Sequence, residues 1–479
     1  MACPDLAAAS GGSNSTTASM PLYAAPIKIY PRSVTGRYDR WRWVMVWLTQ
    51  AFFYGMPWLA WNGRQAMLFD LETRRFYVFG LMLFPQDFIY LAALLVISAL
   101  GLFLFTAVAG RLWCGYACPQ TVYTEMFMWI ERRLEGDRGA RMRLDKAPWS
   151  LDKLWRKGAK HLAWGLLALA TGFSFVGYFT PIRELASSTA ALQLSGWTVF
   201  WILFYAGLTY GNAGWVREQM CKYICPYARF QSALIDKDSL IITYDAARGE
   251  PRGSRPRHTE ARAIGRGDCV DCTLCVQVCP TGIDIRKGLQ NECIGCAACI
   301  DACDAVMDKL GAPKGLIRYA TAQGMERGWT GLQMLRQVLR PRVLVYFTVL
   351  SAVSIAFVAS LASRAPYQVD VLKDRAALAR LGEDGGIENL YRIHIGNRSE
   401  QRQTVRLQAA GLPGLQVLGP SEVVLEPAGI ASLPVRLALP QDQAAAAGRG
   451  SHPVQLTVSR VDGRKSDQAS AAASFYVPD

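Results

Sequence analysis

Apolar residues in this chain of 479 residues are gathered into five long runs that contain no charged residue. A helix needs about 20 apolar residues to cross a hydrocarbon core of about 30 Å, and each run is close to that length. The pattern therefore predicts a five-helix transmembrane α bundle. The predicted spans are residues 43–60, 88–110, 162–180, 196–214 and 343–363.

After the fifth run, the pattern changes to short stretches in which apolar and polar residues alternate, separated by Gly, Pro, Asn and Asp. Alternation with period two at this spacing is typical of the strands of a β-sandwich. Residues 365–479 therefore form a predicted sandwich outside the membrane, with a role either in binding a partner or as a stabilising cap. Its predicted strands contain residues 390–395, 404–407, 423–425, 433–439, 454–458 and 474–477.

The charged residues between the runs predict how the chain crosses the membrane. The loop between runs one and two carries three basic residues and the loop between runs three and four carries one, whereas eleven lie between runs two and three. By the positive-inside rule, we expect the N-terminus and the long loops to face the cytoplasm and the sandwich to lie on the periplasmic side. The formal net charge of +14 follows from this topology, and we expect no nucleic-acid partner.

Twelve of the thirteen cysteines fall in segments assigned to the cytoplasmic side, where thiols stay reduced, so metal binding is a better interpretation than disulfides. Eight of them form two runs with C-x2-C-x2-C-x3-C spacing, the pattern of a bacterial-type ferredoxin domain (α+β) with two 4Fe-4S clusters. The first run is Cys269, Cys272, Cys275 and Cys279, followed by Pro280, and the second is Cys293, Cys296, Cys299 and Cys303.

In two-cluster ferredoxins the fourth cysteine of each run binds the other cluster. The spacing therefore predicts crossed ligand sets, with the fourth ligand arriving from a distant turn. Zinc is the alternative, although its sites take four ligands in two pairs and fit two identical runs poorly. One departure is Asp304, which stands where a proline is expected. The first predicted set is Cys269, Cys272, Cys275 and Cys303, and the second is Cys279, Cys293, Cys296 and Cys299.

Four further cysteines form a duplicated C-x3-C-P motif, Cys114/Cys118 and Cys221/Cys225, each just after an even-numbered span. The duplication predicts that the motifs meet at the cytoplasmic membrane face, each followed by an amphipathic stretch. A proline at the next position suits the first turn of a helix, whose dipole lowers a thiol pKa and favours binding of a soft metal such as copper.

Close helix packing is the alternative role of these four cysteines. Met126 and Met128 could add thioether sulfur to a copper site or only fill space, and Cys3 lies in a predicted disordered N-terminal tail, residues 1–40. The remaining predicted divisions are a transmembrane domain over 41–240 and a linker with the ferredoxin domain over 241–340. No nucleotide-binding motif is present, so a soluble donor or a membrane quinol must supply the electrons.

Together these features resemble the cytochrome c oxidase accessory protein family, of the FixG/RdxA type and also called CcoG. Further pieces of the resemblance are Arg64-Gln65-Ala66, residues 76–80 and Pro85-Gln86-Asp87 in the first outward loop. The resemblance implies an immunoglobulin-like fold for the tail and a role in assembling a cbb-type haem-copper oxidase. It also implies a cupric reductase that makes Cu(I) for the oxidase copper centre, with oxidase subunits or copper chaperones as partners.

Two other functions fit the same residues. Membrane polyferredoxins that resemble quinol dehydrogenases carry similar motifs but generally lack the β-rich tail. A non-catalytic scaffold for oxidase assembly would use the clusters only structurally.

Overall fold

The computed structural model describes residues 28–256, 262–373, 379–382, 385–427, 429–461 and 468–478. Its helices, in chain order, are α1 (Arg37–Gly55), α2 (Phe88–Ala109), α3 (Leu112–Tyr116), α4 (Pro119–Glu135), α5 (Arg138–Lys146), α6 (Leu151–Val176), α7 (Ile182–Ala190), α8 (Gly196–Gly211), α9 (Pro226–Leu234), α10 (Ala246–Gly249), α11 (Leu274–Gln277), α12 (Ala298–Leu310), α13 (Ala322–Glu326), α14 (Gly331–Arg336), α15 (Pro341–Ala362) and α16 (Gln441–Ala447). Two π-helical turns, Asn212–Val216 and Met220–Ile224, follow α8.

The strands are β1 (Ala60–Trp61), β2 (Arg64–Gln65), β3 (Met67–Asp70), β4 (Arg75–Val78), β5 (Leu81–Leu83), β6 (Ile241–Tyr244), β7 (Ile317–Ala320), β8 (Tyr367–Lys373), β9 (Arg380–Leu381), β10 (Ile387–Asn397), β11 (Gln403–Ala410), β12 (Gln416–Leu418), β13 (Glu422–Leu425), β14 (Ile430–Leu439), β15 (Gly450–Arg460) and β16 (Gln468–Val477).

Three helices in the described part of the chain are long and apolar enough to cross a membrane: Pro85–Ala109, which includes α2, then α6 and α15. The helices α2 and α15 pack against each other, and α6 packs against α8. Almost none of the most apolar stretch of α2 or α15 is buried within the protein, so these surfaces need lipid around them.

The other two predicted spans correspond to α1 and α8, whose membrane assignment remains a prediction. Helix α1 begins six residues before the predicted span, includes Arg37, Arg40 and Arg42, and ends at Gly55. Helix α8 has 16 residues before its hydrogen bonding changes to the π-helical pattern at Asn212. Helix α6 begins at Leu151, before the third predicted span, and its first turns are amphipathic and carry charge.

The predicted disordered tail over residues 1–40 is wrong from residue 28 onward. Residues 1–27, including Cys3, lie outside the described residues. The amide of Arg32 donates to the carbonyl of Gln277 at 2.8 Å, and Lys28 and Tyr30 both contact Asp145 at 2.6 Å. These contacts hold residues 28–36 between α5 and the cysteine-rich domain. Helix α1 then begins at Arg37.

The tail is a sandwich of two antiparallel sheets. One has the strand order β12-β14-β10-β8, with β9 paired to β10, and the other has the order β13-β11-β15-β16. Each predicted stretch lies inside one observed strand, and the inward residues of both sheets form one apolar core. Strands β8, β9 and β12 were not predicted: β9 and β12 have only two and three residues, and β8 was missed although its sequence alternates.

The first outward loop folds into a three-stranded antiparallel sheet, β3-β4-β5, which we call the cap sheet. The cap sheet contacts the loop after α6, where the amide of Phe69 donates to the carbonyl of Tyr178 at 2.7 Å. Just before the sheet, Arg64 pairs with Glu400 of the sandwich at 2.6 Å. The loops predicted to face outward therefore lie together at one end of the molecule, beside the sandwich.

Candidate iron–sulfur and thiol site

The eight cysteines of the ferredoxin-type runs lie at the opposite end of the molecule, around two small cavities. Strands β6 and β7 pair antiparallel beside them, and α11 and α12 carry part of the two runs. The first cavity is lined by Cys269, Cys272, Cys275 and Cys303, and the second by Cys279, Cys293, Cys296 and Cys299, with Cys275 reaching both. These are the crossed sets that the spacing predicts, and their role as cluster ligands remains a proposal.

The expected distant turn for the last ligand is wrong, because Cys303 lies inside α12. Asp304 stands in place of the proline, so the backbone N–H at that position stays available and the helix continues to Leu310. The carboxylate of Asp304 accepts a hydrogen bond from the amide of Gly315 at 3.0 Å, which holds the chain after α12.

The donor set of both cavities suits 4Fe-4S clusters. Apart from cysteines, the walls are mostly aliphatic, and burial raises the pKa of Cys275 to about 11 and that of Cys303 to about 12. A thiol with a raised pKa becomes a thiolate when a bound cation replaces its proton. In the described part of the chain, no three His, Cys, Asp or Glu side chains are arranged to share a single ion, whereas four thiols around a cavity suit a multinuclear group.

The two sets differ in their access to solvent. Cys272 of the first set is exposed, whereas Cys296 of the second set is buried. Burial also raises the pKa of Cys293 to about 12. The first set therefore reaches the protein surface at Cys272, although Cys269 and Cys275 of the same set are buried.

Each C-x3-C-P motif ends at the beginning of a helix, as the sequence predicts. Cys118 directly precedes Pro119, the first residue of α4, and Cys225 precedes Pro226, the first residue of α9. These helices are the predicted amphipathic stretches. The first cysteine of each motif lies in the preceding helical segment. Cys114 is in α3, and Cys221 is in the second π-helical turn.

The four thiols of the motifs lie close enough to influence one another. Burial raises the pKa of Cys114 to about 11 and that of Cys221 to about 12, and neighbouring motif thiols raise both further. The predicted lowering by the helix dipole is wrong for Cys118, since burial raises its pKa more than the amides of Thr121 and Gln120 lower it. As in the ferredoxin-type cavities, a bound cation would favour the thiolates.

Two polar residues at the thiols were missed by sequence reasoning. Gln231 in α9 is completely buried, and its Oε1 accepts a hydrogen bond from the thiol of Cys114 at 3.4 Å. The guanidinium of Arg111 donates to the carbonyl of Ala228 at 2.7 Å and lowers the pKa of Cys114, Cys221 and Cys293. The sequence signal for Arg111 was its position directly after α2 and before the first motif.

Of the two methionines considered for copper, Met128 lines a cleft together with Cys221 and Cys296. Met126 does not line this cleft. The same side of α4 carries the buried Glu131, which pairs with Arg141 at 2.9 Å and with Arg217 at 2.8 Å. These ion pairs hold the segment before Cys221 against α4 and α5.

Comparisons with known proteins agree with this arrangement. A 4Fe-4S dicluster domain matches residues 216–322, a 4Fe-4S binding domain matches residues 91–136, and the IG-like fold at the C-terminal of FixG matches residues 357–478. Together with the apolar helices, these matches define a bacterial membrane iron–sulfur protein of the electron-transfer class.

The whole chain also has close relatives. It is 40% identical over 470 residues to the nitrogen fixation protein FixG of Rhizobium meliloti (strain 1021), covering 90% of each chain. Two proteins of Cereibacter sphaeroides are 38% identical to it: RdxA, with 83% of this chain and 85% of RdxA covered, and RdxB, with 91% and 92% covered. The chain belongs to the FixG family.

Proposed function

We propose that the protein is a cupric reductase that supplies Cu(I) for the assembly of a cbb-type cytochrome c oxidase. The observation that carries this proposal is the position of two motif thiols, one from each motif. Cys114 and Cys221 pack against the same apolar group as Cys296 and Cys299 of the second cavity. A pair of thiols, one from each motif, therefore lies directly beside a proposed source of single electrons.

The chemistry needs one electron for each ion, since Cu(II) gains one electron to become Cu(I). A 4Fe-4S cluster supplies electrons one at a time, and the eight cavity cysteines would hold two such clusters. A pair of motif thiols binds the copper substrate, releases its protons to water and favours Cu(I), because thiolates are soft ligands. An external donor restores the electrons, and oxidase subunits or copper chaperones receive the Cu(I).

The charge distribution supports a multi-pass arrangement in the inner membrane. With five spans, including α1 and α8, the N-terminus and the cysteine-rich domain are cytoplasmic and the sandwich is periplasmic. The two groups of loops lie at opposite ends, as this topology requires. The sandwich is then available to subunits outside the membrane.

The test is anaerobic incubation of the reduced protein with Cu(II), in which a Cu(I)-specific chelator follows the product. We expect Cu(I) formation to fall to background in Cys114→Ser and Cys225→Ser, with the iron–sulfur absorbance retained. Cys3→Ser is the matched control and should behave as the unmodified protein. Unchanged copper binding in both motif variants would reject the site.

The same assay separates the two other functions. In a quinol dehydrogenase, a quinol would reduce the clusters. Any Cu(I) that formed would be the same with and without the motif thiols. A scaffold would respond to neither reagent. Analysis of bound metals and acid-labile sulfide that found zinc but no iron or sulfide would reject every electron-transfer function.

A further inference from the structure

A glycine in the first C-x3-C-P motif lies in backbone contact with the second ferredoxin-type run. A Cβ atom added at Gly115 would lie 2.8 Å from the Cα and N atoms of Cys296 and from the carbonyl carbon of Gly295. Real Cβ contacts are essentially never this short. Because these neighbours are backbone atoms, they cannot rotate away as a side chain would, and any larger residue at 115 must push the two segments apart.

The contact is matched from the other side. A Cβ atom added at Gly295 would lie 2.9 Å from the carbonyl oxygen of Arg111, and the φ of Gly295 is +70°, a conformation that glycine adopts readily. Gly115 and Gly295 therefore allow the backbone of the first C-x3-C-P motif to approach the backbone of the second ferredoxin-type run closely.

Hydrogen bonds brace these two segments. The hydroxyl of Tyr319 in β7 donates to the carbonyl of Gly295 at 2.7 Å. The guanidinium of Arg111 donates to the carbonyl of Asn291 on one side and to that of Ala228, in α9, on the other. Since α9 follows the second motif, Arg111 connects both motifs to the loop of the second run.

The contact involves the second cavity and not the first. Cys296 lines the second cavity, whereas the first cavity has Cys272 at the protein surface. Two centres in series are useful when electrons enter at the exposed one and leave from the buried one. The contact at Gly115 thus places the motif thiols beside the second set, and Cys272 gives the first set its access to the surface.

We propose that Gly115 and Gly295 are positioning residues that hold the motif thiols against the second cysteine set, so that this set alone supplies electrons to the thiols. The first set then receives electrons from a soluble carrier that reaches Cys272. This inference rests on the proposed electron transfer to the thiols and adds its route. It requires no contact between the motif thiols and the first set.

The kinetic test compares Gly115→Ala with Gly158→Ala, a control in α6 where an added Cβ has no neighbour within 4 Å. Both proteins are reduced, and their reoxidation by Cu(II) is followed by stopped-flow absorbance. Because the rate of electron transfer falls as the distance between donor and acceptor increases, we expect Gly115→Ala to be reoxidised several-fold more slowly, with eight irons retained. An unchanged rate with intact clusters would overturn the proposal.

A second measurement needs no copper. A nitroxide is attached to Cys114 in protein whose other motif cysteines and Cys3 are serine, and its relaxation is recorded with the clusters oxidised and reduced. We expect strong enhancement on reduction, weakened in Gly115→Ala and retained in Gly158→Ala. If the labelled protein that keeps Gly115 showed no enhancement of nitroxide relaxation on reduction, the contact would be overturned. This outcome can be read even if Gly115→Ala fails to assemble its clusters. If Cu(II) did not reoxidise the unmodified protein while the enhancement was present, the copper reaction would fail and the contact would stand.

Discussion

The cysteine-bearing end and the C-terminal sandwich are stabilised in different ways. The sandwich core is apolar, and residues such as Ile393, Val405 and Leu456 are fully buried in it. The cysteine-bearing end instead buries thiols and charged side chains such as Glu131 and Arg141. Its segments also approach closely at glycines. Apolar burial needs no ligand, whereas buried polar groups need partners or bound ions. The two ends should therefore respond independently to changes in metal, charge and packing.

Removal of the iron should have the largest effect and should divide the molecule. Because cluster binding contributes directly to the folding of the cysteine loops, we expect the loss of iron to abolish amide protection in residues 269–303. Protection in β10, β11 and β15 should be unchanged. Hydrogen exchange followed by mass spectrometry on the intact and iron-depleted protein measures both regions. Equal loss of protection at the two ends would contradict independent stabilisation.

The second prediction concerns the buried charges. Glu131→Gln leaves Arg141 and Arg217 without their carboxylate, and breaking a buried ion pair costs about 3–5 kcal/mol. We expect the cysteine-bearing end to melt at a lower temperature in calorimetry of the full chain in detergent, with the sandwich transition unchanged. Glu422→Gln is the matched control, because its pair with Arg406 is exposed and worth about 0–1 kcal/mol.

The effect of Glu131→Gln should depend on pH. Arg217 and Arg141 outweigh the desolvation of the Glu131 carboxyl and hold its pKa below the usual value. A group whose folded pKa is lowered contributes stability above its unfolded pKa, about 4.3, and loses it as the pH falls through the folded value. The difference between the unmodified protein and the variant should therefore be full at pH 7 and shrink in acid. A difference that grew in acid would contradict the assignment.

The third prediction tests the junction between the two ends. Asp87, at the start of α2, is buried and pairs with Arg364 and Arg398, and Phe84 of the cap-sheet loop packs against Gly396 of the sandwich. A hydrogen bond to a charged group is worth about 1.5–3 kcal/mol. Asp87→Asn should therefore reduce the free energy of unfolding of the sandwich by about that amount and lower its melting temperature. Asp370→Asn, at a more exposed contact with Gln86, is the control. The iron content should not change in either variant.

These differences also explain what could be predicted from the sequence. The sandwich strands follow a local alternation of apolar and polar residues, and helices α2 and α15 follow uninterrupted apolar runs. The cysteine spacing is local as well. Helix α1 was harder to delimit because its beginning depends on a distant residue: the carboxylate of Asp301 accepts the amide of Asp39 at 2.7 Å. The order of residues 28–36 likewise comes from contacts with α5 and the cysteine-rich domain.

The thiol site was predicted as a set of residues but not as an environment. The duplication placed Cys114 and Cys221 together, whereas the raised pKa values result from burial that no spacing reports. The contact of Gly115 with Cys296 joins positions 181 residues apart, counted as 296 minus 115. Neither glycine differs in sequence from an ordinary turn residue, so the contact is visible only in the folded chain.

The smallest predicted effect comes from the sandwich core and completes the comparison. Ile393 in β10 is fully buried, and removing one methyl group in Ile393→Val should cost about 0.5–1.5 kcal/mol. The expected result is a slightly lower sandwich transition with the same iron content, cluster spectrum and Cu(I) formation. Ile430→Val at the exposed beginning of β14 serves as the control and should have no measurable effect. A change in the cluster spectrum of Ile393→Val would mean that packing in the sandwich is transmitted through the junction at Asp87, and the two ends would then have to be treated as one cooperative unit.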